Sequence, residues 1–205
     1  MEKFKELVYY FLGRVYVPKD ILENNEDMLL HISDTPVNFY SGLRLLIRRL
    51  KPKYIVHTGD MVDNIKLEIY SFKKELYKKR VKLLIDILED SSADKIYLAL
   101  GNHDDIEIVK NLSKRIIIVE KSGVFRINNV KYKISHFSKE LLEEPGKYNL
   151  FGHNLSMPSK IENDIIYLNG ITGINIIALK SSKVFTLPYP YGINDDRMCK
   201  PNIGL

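Results

Sequence analysis

A chain of 205 residues with 45% apolar residues and a formal charge of +5 has the make-up of a soluble globular domain with a sizeable core. Its single cysteine, Cys199, excludes an intrachain disulfide framework, and no stretch approaches the roughly 20 apolar residues that span a bilayer. The basic excess is modest and interleaved with acidic residues, so it lends only weak support to a nucleic-acid partner.

In chain order, residues 1–14 read as a helix. The apolar run from Leu7 to Leu12 is flanked by Glu2, Glu6 and Arg14 without a small-residue cleavage site, so no signal peptide is expected and the cytoplasm is the expected compartment. Met28 to Ser33 is a short continuous apolar run, as suits a strand buried on both faces. Leu43, Leu46, Ile47 and Leu50 then recur at helical spacing up to Lys51-Pro52. Tyr54 to His57 is the next strand. An amphipathic helix is expected from about Leu67 to Glu89, with Phe72, Leu76, Leu84 and Leu88 inward and Lys73, Lys74, Lys78 and Lys82 mostly outward. Lys95 to Leu100 is a third strand, and the β-α-β-α-β order implies right-handed parallel crossovers.

After Ser113 the texture becomes mostly β. Strand candidates are Arg115 to Val119, Val124 to Ile127, Val130 to Ser135, Tyr148 to Phe151, Asp164 to Leu168, Asn175 to Leu179 and Lys183 to Leu187. Asn128-Asn129 lies between two alternating runs as a hairpin turn. The expected fold class is α/β, with two packed mixed sheets flanked by helices in one domain whose core covers about 27–187. The tail 188–205 is expected to be irregular and loosely packed.

Chemistry-bearing residues follow the strands. Asp34 follows the first, Gly59-Asp60-Met61-Val62-Asp63-Asn64 the second, and Gly101-Asn102-His103-Asp104 the third; His136 and Gly152-His153 follow two later ones. Loops at the carboxyl ends of strands in an open α/β sheet converge on one crevice. Mixed carboxylate, amide and imidazole donors there suit Mn²⁺, Fe or Zn²⁺.

The order Asp, GDxxDN, GNHD, His, GH resembles the calcineurin-like metallophosphoesterases, whose pattern is DxH, GDxxD, GNH(D/E), H and GHxH. The resemblance implies a two-sheet sandwich, a binuclear site, and hydrolysis of phosphomonoesters or phosphodiesters by a metal-activated water. It implies Asp60 as the bridging carboxylate, Asn102, His136 and His153 as the other ligands of one position, and Asp34 as a ligand of the other. It also implies His103 as the proton donor to the leaving oxygen and Asp63 as the carboxylate that orients it. Retention of Asp63, His103 and Asp104 favours chemistry over metal storage.

Two departures from the pattern fall on one position. DxH reads Asp34-Thr35-Pro36 here, and GHxH reads Gly152-His153-Asn154-Leu155. The expectation is therefore one tightly held divalent transition metal and at most a weakly held second. By this reading the second position keeps only Asp34 and the bridge, with Asn154 or a backbone carbonyl to compensate. His31 and His57 are expected to be buried or supporting rather than ligands, because strand alternation turns them from Asp34 and Asp60. The Lys73 to Lys82 cluster reads as a solvated face, and Cys199 has no base motif beside it. The expected substrate is small and phosphorylated, a phosphodiester or a nucleotide being favoured. The rival function is a non-catalytic binding module on the same fold, as in the retromer subunit, with Pro36 and Leu155 covering the site.

Overall fold

The computed structural model describes residues 2–197; Cys199 and the rest of 198–205 lie outside the described residues. Among the described residues, eleven strands form two sheets. The first contains β1 (Met28–Ile32), β2 (Tyr54–His57), β3 (Lys95–Ala99), β4 (Ile116–Val119), β10 (Ile174–Ala178) and β11 (Val184–Leu187), in the order β11-β10-β1-β2-β3-β4. Strands β1 to β4 are parallel, and β10 and β11 extend the sheet antiparallel. The second sheet runs β5-β6-β7-β9-β8, from β5 (Ser122–Ile127), β6 (Val130–Ser135), β7 (Tyr148–Phe151), β8 (Lys160–Glu162) and β9 (Ile165–Asn169). Here β6, β7 and β9 are parallel, so both sheets send strand carboxyl ends toward one edge.

Side-chain alternation divides the core. Leu30, Ile32, Ile55 and Ile96 join the helices α3 (Tyr40–Leu50), α4 (Lys74–Glu89) and α5 (Ile106–Leu112) on one face of the first sheet. Leu29, Val56, Tyr97 and Ile177 point the other way, onto Ile127, Tyr132, Ile134, Leu150 and Leu168 of the second sheet. Between the sheets Tyr97, Phe125, Tyr132 and Tyr148 stack in sequence, with ring centroids 3.9, 5.2 and 4.9 Å apart and planes within 10°. Phe125 faces Tyr132, and Tyr132 faces Tyr148, as cross-strand partners, so the stack locks register as well as burying area.

Most expected elements are present. Leu43, Leu46, Ile47 and Leu50 are the buried stripe of α3. Asn128 and Asn129 have φ of +49° and +65°, the two left-handed residues of a tight hairpin joining β5 to β6. Three expectations need correction. The helix over 67–89 starts at Lys74, after a short 3₁₀ turn at Ser71–Lys73, and buries Tyr77, Val81, Leu84, Ile85, Ile87 and Leu88 while Phe72 and Leu76 are exposed. The inward phase is set by Tyr77, whose ring is buried and whose hydroxyl donates to Asp104 at 2.9 Å. Strand β8 was not anticipated; its three residues are all exposed, so they carry no burial pattern.

The third correction concerns the tail. Tyr189 and Ile193 are buried, and residues Ile193–Arg197 form the short helix α6. Arg197 is the reason. Its guanidinium lies 3.6 Å over the Tyr189 ring and donates to the carbonyls of Asp34 (2.6 Å), Ile171 (2.8 Å) and Ser33 (3.0 Å). By contrast α1 (Glu2–Phe11) buries none of its residues, and the single turn α2 (Lys19–Leu22) buries Ile21. Among the described residues, no helix is long and apolar enough to cross a membrane.

Removing Arg197 strands three backbone acceptors under the β1 carboxyl end. Arg197→Met is expected to lower unfolding free energy by about 2–4 kcal/mol in urea titrations. A change within a few tenths of a kcal/mol would show that the tail is not a structural strap.

Candidate metal centre

Five strand-to-loop junctions meet at the shared carboxyl edge. Asp34 leaves β1, Asp60 and Asp63 leave β2, Asn102 and His103 leave β3, His136 leaves β6 and His153 leaves β7. The turns are sharp: Asp34, Asp60 and His153 have φ of +48°, +55° and +62°, a region non-glycine residues seldom occupy. The glycine preceding Asn102 is needed for close approach, because a Cβ on Gly101 would collide with Asp60 Oδ1. A Cβ on Gly152 would likewise collide with Ser33 Oγ and Asp34 Oδ2.

Potential ligand atoms fall into two groups that share Asp60. Asp60, His136 and His153 lie within 4.8 Å of one another, as do Asp34, Asp60 and Asp63. In the first group His136 Nδ1 is 2.6 Å from the Thr58 carbonyl, so it carries the proton and donates. That leaves Nε2 facing Asp60 Oδ2 at 3.4 Å and Asn102 Oδ1 at 3.1 Å. A carbonyl that fixes the tautomer is the usual support of a ligating imidazole. The fold thus brings Asp60, Asn102, His136 and His153 close together. His31 and His57 are buried and bonded instead to Thr58 Oγ1 (3.0 Å) and Thr35 Oγ1 (2.9 Å).

The second group is richer than the expected Asp34 plus bridge, because Asp63 joins it. Asp63 Oδ1 pairs with Lys66, and its buried Oδ2 has no hydrogen-bond partner among the described residues, so neither oxygen bonds His103. The carboxylate that reaches the His103 ring is Glu68, at 3.7 Å, which also accepts from Asn102 Nδ2 at 2.5 Å. Asp104 faces the loops rather than the cavity. Its Oδ2 accepts from the backbone N–H of Asp60 and Gly101, and its Oδ1 from Met61 N–H and the Tyr77 hydroxyl, each at 2.9 Å. It therefore binds two motif loops together.

A cavity of about 140 Å³ opens over these residues, lined by Asp34, Asp60, Asp63, His103 and His153. Lys66, Ile171, Asn194 and Arg197 also line it, and none of these was singled out from the sequence. Lys66 carried a usable signal, three residues after Asp63 in the same loop; Arg197, from the tail, carried none. Leu155 sits at the rim, 47% exposed, whereas Pro36 is buried.

The charge pattern fits a cation. Burial and the neighbouring Asp34 push Asp63 up to about 7. Burial and Asp60 likewise raise Asp34. Burial alone would lower His136, but the hydrogen bond and charge of Asp60 raise it to about 9. Asp60 responds in the opposite sense: burial opposes its ionisation, yet His136 brings it down to about 2. His153 is lowered by burial and by His136. A bound cation would replace the His136 proton, so the Asp60–His136–His153 donor set fits a divalent ion.

Replacing Asp104 by Asn turns an –NH₂ donor toward backbone donors. Asp104→Asn is expected to cost at least about 1–3 kcal/mol of stability in urea titrations. No loss would mean that water satisfies these amides.

The metal-free chain should also show a signed pH dependence. His136 keeps its proton to about 9 when folded, against 6.5 in the unfolded chain, so its contribution is full below about 6.5 and lost as pH rises through about 9. Asp63 works in the same direction between about 4 and 7, since its folded form holds a proton longer. Burial acts in the opposite sense on His31 and His57, whose neutral rings gain stability as pH rises through about 6.5, so with a chelator present the melting temperature should fall from about pH 7.5 to pH 9. Excess Mn²⁺ should flatten or reverse the slope, because ligand deprotonation favours the ion. A flat metal-free profile would remove the buried His136–Asp60 pair from this account.

Residues 28–194 match the family model described as calcineurin-like phosphoesterase. Among solved structures, the chain is similar to a novel archaeal phosphodiesterase at 17% identity and a TM-score of 0.53, covering 78% of this chain and 99% of that one. It is similar also to Yfce, a phosphoesterase from E. coli, at 14% identity and a TM-score of 0.52, covering 79% and 98%. At such identities the likeness is one of fold, and a search of curated proteins returns no match. With most of its length matched by that model, this chain belongs to the calcineurin-like phosphoesterase family.

Proposed function

We propose that the chain hydrolyses a small phosphomonoester or phosphodiester, a nucleotide being the favoured class, using one firmly held divalent transition metal such as Mn²⁺, Fe or Zn²⁺. The observation that carries this reading is the sharing of Asp60 between an imidazole-containing group, Asp60–His136–His153, and an all-carboxylate group, Asp34–Asp60–Asp63. In this reading His136 Nε2, His153 and Asp60 hold the ion with the Asn102 amide oxygen. When bound, the ion supplies Lewis acidity and lowers the pKa of a coordinated water.

The remaining residues prepare the site. The Thr58 carbonyl orients His136, and Asp104 fixes the Asp60 and Gly101 loops. His103 donates the proton to the leaving oxygen; it lines the cavity, with the Glu68 carboxylate 3.7 Å from its ring. The orienting role that the family resemblance gave to Asp63 passes to Glu68, whose carboxylate is the one that reaches the ring. The cavity of about 140 Å³ favours a small substrate.

Two measurements test this. Elemental analysis after dialysis is expected to give about one tightly held metal per chain. His103→Ala should slow hydrolysis of an alkyl phosphoester by about 10²–10⁴-fold while barely affecting a p-nitrophenyl ester, whose leaving group needs no proton. Equal losses on both esters would remove the proton-donor role. A parent chain that holds its metal yet hydrolyses neither ester would favour the non-catalytic binding module. The exposed Leu155 at the rim would then be its contact.

A further inference from the structure

One cation in the cavity is left unexplained by the ligand pattern. Lys66 lies in the loop between β2 and α4, and its ammonium pairs with Asp63 Oδ1 inside the space that Asp34, Asp60, His103 and His153 also line. The two side chains are 19% and 1% exposed, so the pair is not a solvent-screened surface contact. Arg197 brings a second positive group to the same cavity, but its guanidinium is committed to the carbonyls of Ser33, Asp34 and Ile171. An ammonium has three N–H donors, and among the described residues Asp63 accepts from it.

Charge balance says what this lysine is for. Asp34, Asp60 and Asp63 put three formal negative charges within one small buried group. A divalent ion held by Asp60 and two neutral imidazoles offsets two of them. The third sits on the side that lacks the family's two imidazoles, and there the structure supplies an ammonium. A second divalent ion would have to bind Asp63 beside Lys66, where burial leaves their repulsion poorly screened.

We propose that Lys66 stands in for the second metal ion, neutralising the Asp34–Asp60–Asp63 group and offering its remaining N–H donors to a phosphate oxygen of the substrate. This deepens the phosphoesterase reading and rests on it, since it assigns the second cation of that site. It predicts a mononuclear site whose second charge belongs to the chain and survives dialysis.

The test is a count of Mn²⁺ equivalents retained after dialysis by the parent, Lys66→Met and Lys66→Arg, with melting curves to verify folding. Removing the ammonium frees Asp63 Oδ1 beside the unpartnered Oδ2, so Lys66→Met is expected to retain one equivalent more than the parent. Lys66→Arg, which keeps the charge, should match the parent. An unchanged count in Lys66→Met, or a gain in Lys66→Arg, overturns the proposal; if Met does not fold, Lys66→Gln gives the same reading. Calorimetry with inorganic phosphate, at one equivalent of Mn²⁺, should show about tenfold or weaker binding in Lys66→Met, the loss of one charged hydrogen bond. Undiminished affinity overturns the phosphate-binding half. Neither readout depends on turnover, so absence of hydrolysis by the parent would sink the phosphoesterase reading separately.

Discussion

Three carboxylates at the ends of parallel strands set the terms for the rest of this molecule. Asp34, Asp60 and Asp63 are all at most 2% exposed, and their oxygens lie within 4.8 Å of one another. Two unit charges about 4 Å apart repel by roughly 4 kcal/mol at the effective dielectric of a protein surface, and burial makes this worse. A fold that gathers three such groups must bring positive charge to them. The protonated His136, the Lys66 ammonium and the commitment of Arg197 to the surrounding carbonyls all answer that demand. Metal affinity, perturbed titration and the basic loop are therefore consequences of one crowding.

The crowding is sustained by rigid surroundings rather than by the loops alone. Asp104 draws backbone amides of residues 60, 61 and 101 onto one carboxylate, so the turns after β2 and β3 cannot separate independently. The Tyr97–Phe125–Tyr132–Tyr148 stack ties the first sheet to the second, and this matters for chemistry. His136 and His153 come from the second sheet and meet Asp60 of the first. A slip between sheets would break the imidazole-containing group and leave the all-carboxylate group intact. Inter-sheet packing therefore decides whether the imidazole-containing group is assembled at all.

The parts legible in the sequence were those with a local signature. Continuous apolar runs gave β1, β2 and β3 within a residue, and Asn128-Asn129 gave its hairpin, because strand burial and left-handed turns are written in neighbouring residues. Glycine-led motifs marked where the strand-end loops converge for the same reason, since Gly101 and Gly152 record a backbone approach that no Cβ permits. What stayed hidden depended on distant partners. The phase of α4 follows from Tyr77 reaching Asp104, twenty-seven residues away. The order of the tail follows from Arg197 meeting carbonyls more than a hundred residues earlier. Asp63 joined the carboxylate group with Asp34 and Asp60, instead of the His103 ring, because Lys66 and the β2 turn place it there.

The two departures from the family pattern are not equivalent in structure, and the difference bears on how the second position works. Leu155 sits at an exposed rim, where an imidazole in its place would meet water and no packing penalty. Pro36 is buried, opens the 3₁₀ turn Val37–Phe39 at φ −77°, and gives its carbonyl to Phe39 N–H. A histidine there would lose the fixed backbone angle and bury a polar ring, at about 1–3 kcal/mol if left unpaired. The Asp34 loop is thus built around the absence of its imidazole, while the Leu155 loop is not. One restored ligand would face Asp34, Asp60 and Asp63 as a neutral donor among carboxylates and would add no charge. Under the proposal made for Lys66, charge rather than a missing nitrogen is what that position lacks, and the ammonium paired with Asp63 is the group placed to provide it.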